Sequence, residues 1–209
     1  MKNTIQILFF LFIIKPFLTF FTGIRIFGRE NLPKKIPFIM VANHSSHLDA
    51  ATILSLFPLK ELINIRPAAA ADYFSSNAFR AFFSKNFFNI LPIPRKGINK
   101  ENNPLTIMKK AIKENQAIII FPEGTRSTDG EMSNFKSGVA HLIQEHSEIP
   151  VIPIYLSNLY RSLPKGEFIP LPLFLEVNIG VPIFLSGDKK EIMENLYQKV
   201  AELKSKNYS

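Results

Sequence analysis

Asn43-His44-Ser45-Ser46-His47-Leu48-Asp49 lies between two apolar segments of the chain. The run before it, Ile36–Ala42, is typical of a buried strand, and the segment after it, Ala50–Phe57, has helical periodicity. Residues five apart on an ideal helix point about 140° away from each other, so His44 and Asp49 cannot share one helix face. They can meet if His44 lies in the turn and Asp49 in the first helical turn, which is the geometry that a general base and its orienting carboxylate require.

The same residues also match a helix capping box. Ser46 would be the N-cap, and Asp49 would accept a hydrogen bond from the backbone N–H of Ser46. A histidine at such a junction can also be purely structural. The stretch alone therefore leaves Asp49 open between helix capping and chemistry, and the rest of the chain has to decide between them.

The composition limits the classes of protein to which the chain can belong. At 209 residues it has the size of one domain. A hydrophobic fraction of 46% is enough for a full core and excludes a disordered chain. The absence of cysteine excludes disulfides, thiolate metal sites and a cysteine nucleophile. The net charge of +8 predicts an anionic partner, such as a phosphate ligand, an anionic lipid or nucleic acid.

The N-terminal segment, residues 1–27, is expected to associate with a membrane. Two apolar runs, 5–14 and 17–27, are separated by Lys15-Pro16, and each is shorter than the roughly 20 residues of a spanning helix. We expect two short helices that dip into one leaflet. The alternatives are one span kinked at Pro16, a signal peptide, and a hairpin that covers the core.

Strands and helices alternate along the rest of the chain, which predicts an α/β fold with a mostly parallel central sheet flanked by helices. Asn103 before Pro104 is a predicted helix start, and so is Asp188 with Glu191. Pro153 within a strand indicates a sheet edge or a bulge. The predicted strands are Phe38–Ala42, Leu62–Ile65, Ala117–Phe121, Val151–Leu156 and Phe174–Ile179, and the other predicted helices are Ala68–Phe88 and Phe135–His146.

A second polar cluster, Pro122 to Arg126, follows the predicted strand Ala117–Phe121. Because ligands bind at the carboxyl ends of strands in open α/β sheets, the two clusters can converge on one crevice. Arg126 offers a planar fork that matches phosphate, Gly124 permits close approach of a ligand, and Glu123 can orient the arginine or accept a hydroxyl. The alternative is a surface turn with a Glu–Arg ion pair, which would contribute little.

Four stretches, taken in order, resemble the glycerolipid acyltransferases of the lysophosphatidic acid acyltransferase type. Asn43-His44 through Asp49 matches the Asn-His-x4-Asp motif of that family, and Pro122 to Arg126 matches its Pro-Glu-Gly-Thr-Arg motif in full. Leu91 to Gly97 is similar to its second motif, which often reads Phe-Ile-x-Arg, and Val151 to Ile154 is similar to its fourth.

The resemblance implies transfer of a fatty acyl group from acyl-CoA or acyl carrier protein to the free hydroxyl of 1-acyl-glycerol 3-phosphate, a step of phospholipid biosynthesis. Residues 28–209 would form the acyltransferase domain. His44 would be the general base and Asp49 would fix its tautomer, while backbone N–H groups at the start of the next helix would stabilise the oxyanion. The implied substrate-binding residues are Arg95, Glu123, Gly124, Thr125, Arg126 and Lys136.

The resemblance implies no cofactor and no metal. The expected partners are a lysophospholipid acceptor, the acyl donor and an anionic membrane surface, and the expected location is the cytoplasmic face of the inner or plasma membrane. Nucleic acid is not an expected partner, because the sequence has no basic–aromatic module.

Three alternatives stay open at this point. The acceptor could be another lysophospholipid or glycerol 3-phosphate. A non-enzymatic lipid-binding protein at the membrane surface would explain the charge and the apolar N-terminus, but not two polar clusters at strand ends. A metal-dependent hydrolase would use His44, His47 and Asp49 as ligands, although their spacing does not fit the usual helical i, i+4 pair.

Overall fold

The computed structural model describes residues 2–72, 82, 86–100, 102–167 and 169–204, and the strands within these ranges form one sheet. The strands are β1 (Ile24–Phe27), β2 (Ile39–Ala42), β3 (Ile65–Ala70), β4 (Leu91–Ile93), β5 (Ala117–Ile120), β6 (Val151–Ser157) and β7 (Leu175–Ile179). Their order across the sheet is β1-β7-β6-β2-β5-β3-β4. Within this part of the chain, β6 with β7 is the one antiparallel pair, which confirms the predicted mostly parallel sheet.

Helices cover both faces of this sheet. They are α1 (Lys2–Phe9), α2 (Asp49–Ser55), α3 (Pro104–Lys113), α4 (Gly138–Glu145), α5 (Leu159–Ser162) and α6 (Lys189–Glu202). Met40 and Ala42 of β2 pack in the same apolar cluster as α2 and the N-terminal helix. Ile39 and Val41 pack in a second cluster with α3, α4 and α6. This alternation buries β2 on both faces, as its continuous apolar sequence predicts.

Two helices begin at the predicted capping residues. The side chain of Asn103 accepts a hydrogen bond from Leu105 N at 2.9 Å, and Pro104 occupies the first helical position of α3. Asp188 and Glu191 form a complete capping box at the start of α6. Both predictions are confirmed. Such caps can be predicted from sequence because their hydrogen bonds join residues only two or three positions apart.

The predicted elements between residues 62 and 88 differ from the observed ones. Leu62 lies in a 3₁₀ turn, Leu59–Asn64, and β3 begins after it. The predicted helix Ala68–Phe88 is wrong at its start, because Ala68, Ala69 and Ala70 pair in parallel with Leu91–Ile93 of β4. Alanine has the highest helix propensity, but propensity is a weak preference that tertiary contacts override, and here pairing with β4 decides the conformation. Most of the remaining predicted helix, 73–81 and 83–85, lies outside the described residues.

Pro153 lies in an inner strand, so its predicted edge position is wrong. β6 pairs with β2 on one side and with β7 on the other. The carbonyl of Pro153 accepts a hydrogen bond from Gly180 N at 2.8 Å, just beyond the end of β7. Because the nitrogen and carbonyl of one residue face the same side of a strand, the missing N–H of Pro153 also faces this side, and the ladder to β2 is not interrupted.

The N-terminal apolar segment forms one helix instead of two. Helix α1 continues through π-helical turns at Phe10–Ile14 and Phe17–Thr22, and such widened turns accommodate the missing N–H of Pro16. Thr4–Thr22 has a mean hydropathy of 2.0 and is 17% buried, so by length and composition it could cross a membrane. A signal sequence near the N-terminus would have the same length and composition. The helix ends at Gly23, which has a φ of +68°, and the residues that follow form β1.

Candidate active site

The two polar clusters follow adjacent parallel strands and meet at one edge of the sheet. Val41 of β2 is in register with Ile120 of β5. The backbone N–H of His44 donates to Glu123 Oε1 at 2.7 Å, and the carbonyl of His44 accepts from Ser127 N at 2.8 Å. The predicted convergence of the two clusters is therefore confirmed.

His44 and Asp49 are in direct contact. His44 Nδ1 lies 2.7 Å from Asp49 Oδ2, and Asp49 is completely buried. The same oxygen accepts hydrogen bonds from the backbone N–H groups of Ser45 at 2.7 Å and Ser46 at 2.9 Å. A carboxylate can only accept, so Nδ1 of His44 carries the proton and Nε2 is left for the cleft. The imidazole also stacks on Phe121, with ring centroids 4.2 Å apart, which fixes its plane.

The predicted capping box at Ser46 is wrong, because α2 begins at Asp49 with Leu48 as its N-cap and without a side-chain cap bond. Asp49 nevertheless holds the turn in addition to His44. It accepts the Ser46 N–H, as in a capping box, while the Ser46 hydroxyl accepts from Leu48 N at 3.1 Å and donates to Leu163 O at 2.7 Å. The N–H groups of Ser45, Ser46 and Leu48 are thus all engaged within the protein. The prediction that such groups stabilise an oxyanion is wrong for these three.

Glu123 is buried behind the surface of the site. Its Oε1 accepts the His44 N–H, and its Oε2 accepts from Ser133 N at 3.0 Å and from Ser133 Oγ at 2.8 Å. Because protein donors engage both carboxylate oxygens, Glu123 connects the His44 turn to the loop at Ser133. Glu123 therefore stabilises the contact between these two segments and does not line the cleft.

The loop behind Glu123 is ordered by its own polar side chains. Ser127 Oγ donates to Asp129 Oδ1 at 2.7 Å and accepts from Gly130 N at 2.8 Å. The Ser127 hydroxyl, and after it the backbone N–H of Glu131, hold the pKa of Asp129 below its ordinary value. Since Ser127 N also bonds to His44 O, this loop supports the turn that carries the histidine.

His44 opens into a cleft of about 830 Å³. Apolar side chains form much of its lining: Ala68, Ala70, Phe88, Ile90, Ile93, Met108, Ile120 and Val139. Arg95, Arg126, Lys136 and Lys165 also line it, and none of the described lining residues is a carboxylate. The cleft therefore offers an apolar wall and a strongly cationic region beside His44. That combination suits an amphiphile with an anionic head group.

Three of the four cations meet at the turn that follows β5. The Arg95 guanidinium donates to the carbonyl of Gly124. Gly124 has a φ of +73°, and a Cβ added there would lie 2.7 Å from Lys136 Nζ. Arg126 is half-buried in the cleft wall. The predicted residues Arg95, Gly124, Thr125, Arg126 and Lys136 are thus brought to one place, and Gly124 provides the space for Lys136.

Lys165 is a cleft residue that the sequence reasoning missed. It follows the short helix α5 instead of a strand end, and no motif surrounds it. Its position depends on a long-range contact, the hydrogen bond from Ser46 Oγ to Leu163 O. His47 also lines the cleft, but no group of three His, Asp or Glu side chains among the described residues could hold a metal ion.

Comparison with known proteins identifies the family. The family model described as Acyltransferase matches residues 23–157, which include the histidine turn and the Gly124 turn. The chain belongs to the acyltransferase family. This confirms the class of enzyme that the four sequence motifs predict, whereas Lys165 lies outside the matched range.

Curated relatives and a solved structure agree with this assignment. The chain is 31% identical over 183 residues to the chloroplastic 1-acyl-sn-glycerol-3-phosphate acyltransferase BAT2 of Brassica napus, covering 84% of this chain and 49% of the relative. It is 33% identical over 137 residues to the 1-acyl-sn-glycerol-3-phosphate acyltransferase of Saccharomyces cerevisiae, covering 65% and 43%. The chain thus spans about half the length of the curated relatives it matches.

The crystal structure of PlsC, the 1-acyl-sn-glycerophosphate (LPA) acyltransferase from Thermotoga maritima, has the same fold as this acyltransferase. The TM-score is 0.69 at 22% identity, and the alignment covers 100% of both chains. The likeness confirms the α/β architecture.

Proposed function

We propose that the protein transfers a fatty acyl group from acyl-CoA or acyl carrier protein to the free hydroxyl of 1-acyl-glycerol 3-phosphate, giving phosphatidic acid. One observation carries the proposal: the His44–Asp49 pair opens into a cleft that has an apolar wall and four cations. A lysophosphatidate has an acyl chain for the wall, a phosphate for the cations and a hydroxyl for the histidine. The names of the curated relatives support this acceptor.

In the proposed reaction, His44 Nε2 removes the proton of the acceptor hydroxyl as its oxygen attacks the thioester carbonyl. A C–O bond forms, the C–S bond breaks, and the imidazolium returns the proton to the leaving thiolate. General base assistance of this kind contributes about 10²–10⁴ in rate. Asp49 stabilises the imidazolium through Nδ1–H, and its bonds to Ser45 and Ser46 keep it in place.

The phosphate of the acceptor binds at the turn after β5. Arg126 and Arg95 provide planar guanidinium groups, Lys136 adds a third charge, and Thr125 shapes the pocket. Glu123 holds this turn against His44, which sets the distance between the phosphate and the base. The acyl chains occupy the apolar part of the cleft.

The N-terminal helix holds the enzyme at the membrane that contains its lipid substrate and product. Most of Thr4–Thr22 is not buried against the fold, and its large apolar side chains are exposed. The net charge of +8 favours an anionic lipid surface, and the cytoplasmic face of the inner or plasma membrane is the proposed location.

The test is acyl transfer by the purified protein in liposomes, with oleoyl-CoA and 1-acyl-glycerol 3-phosphate. We expect phosphatidic acid from the wild type and a loss of kcat in His44→Ala. Acyl carrier protein donors, other lysophospholipids and glycerol 3-phosphate, each run in parallel, identify the donor and acceptor. Absence of acyl transfer across this whole panel would refute the proposal and favour a non-enzymatic lipid-binding protein.

A further inference from the structure

Three large apolar side chains are exposed on the segment between α5 and β7. Ile169 is 81% exposed, Leu171 54% and Phe174 61%. None of them lines the cleft. Exposed aliphatic and aromatic side chains grouped on one short segment indicate a contact surface, because isolated ones are common but clusters are not.

This second apolar patch, defined as Ile169, Leu171 and Phe174, is firmly attached to the active-site turn. Leu171 N donates to Ser162 O at 2.8 Å, and Ser162 Oγ donates to Leu171 O at 2.7 Å. The next residue, Leu163, accepts the hydrogen bond from Ser46 Oγ. Leu171, at the centre of the patch, is therefore connected to the histidine turn through residues 162 and 163.

The strand registers place the patch at the same edge of the sheet as the cleft. β7 runs antiparallel to β6, and Glu176 pairs with Ser157, so the start of β7 lies at the carboxyl end of β6. The cleft lies at the carboxyl ends of β2 and β5, which run parallel to β6. Phe174, directly before β7, therefore lies at the same edge of the sheet as the cleft.

The end of the N-terminal helix lies at this edge as well. Gly23 O accepts from Leu175 N at 2.9 Å. A Cβ on Gly23 would lie 2.7 Å from the Phe174 ring, so the backbone at the helix end packs directly on this side chain. The end of the N-terminal helix and the second apolar patch are therefore adjacent at Gly23.

We propose that the second apolar patch inserts into the lipid bilayer beside the N-terminal helix and fixes the cleft mouth over the lipid. The proposal rests on the membrane association proposed above. The bilayer fits this surface because the patch adjoins the end of the apolar helix at Gly23. The exposed cations Arg161, in α5, and Lys165, beside Glu167 on the segment itself, can remain among the head groups. A helix alone leaves rotation about its axis free, whereas a second contact at its end removes that freedom.

The absence of cysteine permits a direct test with single labels. Ile169→Cys is labelled with an environment-sensitive fluorophore and mixed with phosphatidylcholine–phosphatidylglycerol vesicles, with and without a quencher on the acyl chains. Phe12→Cys, on the N-terminal helix, reports membrane binding itself. Val181→Cys is the matched control, because Val181 is 65% exposed but follows β7 at the opposite edge, near the pairing of Ile183 with Val151.

We expect fluorescence enhancement and lipid quenching at positions 12 and 169, and neither at 181. A response at 12 without one at 169 would overturn the second contact while leaving membrane binding intact. Silence at all three positions would overturn membrane association as a whole. Enhancement at 169 without vesicles, rising with protein concentration, would overturn the proposal in favour of contact between two copies of the chain. None of these readouts depends on acyl transfer, so failure of the proposed reaction is detected separately.

A second variant measures the strength of the contact. Replacing Ile169 and Leu171 together by serine should weaken vesicle binding about tenfold or more, since each buried CH₂ contributes about fourfold to partitioning. Val181→Ser should leave vesicle binding unchanged. Equal binding of the wild type and the double variant would overturn the proposal.

Discussion

Replacing Asp49 by asparagine separates the two roles that its carboxylate combines. Oδ2 of Asp49 accepts from His44 Nδ1, Ser45 N and Ser46 N. The asparagine carbonyl oxygen can take this position and keep all three bonds, so His44 retains its tautomer and the turn its shape. Asp49→Asn therefore removes the negative charge and keeps these three bonds, while its amide nitrogen takes the place of Oδ1, a buried atom for which the described residues provide no hydrogen-bond partner. Asp49→Ala cannot do this, because two buried N–H groups would lose their acceptor at about 1–3 kcal/mol each.

The expected loss follows from the charge of the imidazolium that forms in the transition state. Unit charges about 4 Å apart interact by about 4 kcal/mol at the effective dielectric constant of protein sites. Since about 1.4 kcal/mol corresponds to a tenfold change in rate, Asp49→Asn should lower kcat about a thousandfold. KM for the acceptor should change little, because the lost interaction is with the imidazolium, which forms only in the transition state.

The assay is phosphatidic acid formation at saturating donor and acceptor, with urea unfolding measured on the same preparations. Asp49→Asn should have no further effect on kcat in a His44→Ala background, since its partner is then absent. If Asp49→Asn kept kcat within threefold of the wild type while Asp49→Ala lowered the free energy of unfolding, Asp49 would hold the turn without a role in the reaction.

Further substitutions test the cationic part of the cleft. Arg126→Ala should raise KM for the acceptor about ten- to hundredfold, because a hydrogen bond to a charged group is worth about 1.5–3 kcal/mol; a collapse of kcat at constant KM would instead assign Arg126 to the transition state. Lys165→Ala should raise KM for a phosphate-bearing substrate severalfold, while Arg161→Ala, in the preceding helix α5 and outside the cleft lining, should not. Titrating donor and acceptor separately shows which phosphate is bound, and equal KM values for both variants would remove Lys165 from the site. Gly124→Ala should impair acceptor binding, because its Cβ would displace the Lys136 ammonium and the left-handed backbone would be strained; unchanged KM and melting temperature would contradict this.

Local patterns were sufficient to predict the parts of the fold that depend on neighbours in sequence. The caps at Asn103 and Asp188 and the buried strand Ala117–Ile120 are fixed by residues within one or two turns of each other. The errors arose where distant pairing decides the structure. Ala68–Ala70 pair with β4, and Pro153 is tolerated because β7 ends beside it.

The site was predictable to a similar extent and for a similar reason. The edge at which His44 and Gly124 meet follows from parallel strands alone. The hydrogen bonds of Glu123 to His44 and Ser133, and the entry of Lys165 into the cleft, depend on loop paths that no periodicity encodes. Glu123 therefore looked like a ligand-binding residue in sequence, although the structure gives both its oxygens to protein donors.

The hydrogen bonds of Asp49 also limit how the proposed reaction can be assisted. A completely buried carboxylate is costly unless several donors compensate it, and here the compensation comes from the N–H groups of Ser45 and Ser46 together with His44. Those N–H groups cannot at the same time bind the oxygen of a thioester. The N–H of Leu48 is engaged as well, by the hydroxyl of Ser46. Charge that develops on the substrate therefore depends on groups other than these N–H groups, and the cations of the turn after β5, which also line the cleft, are the candidates. A phosphate bound at that turn would bring the acceptor hydroxyl towards His44.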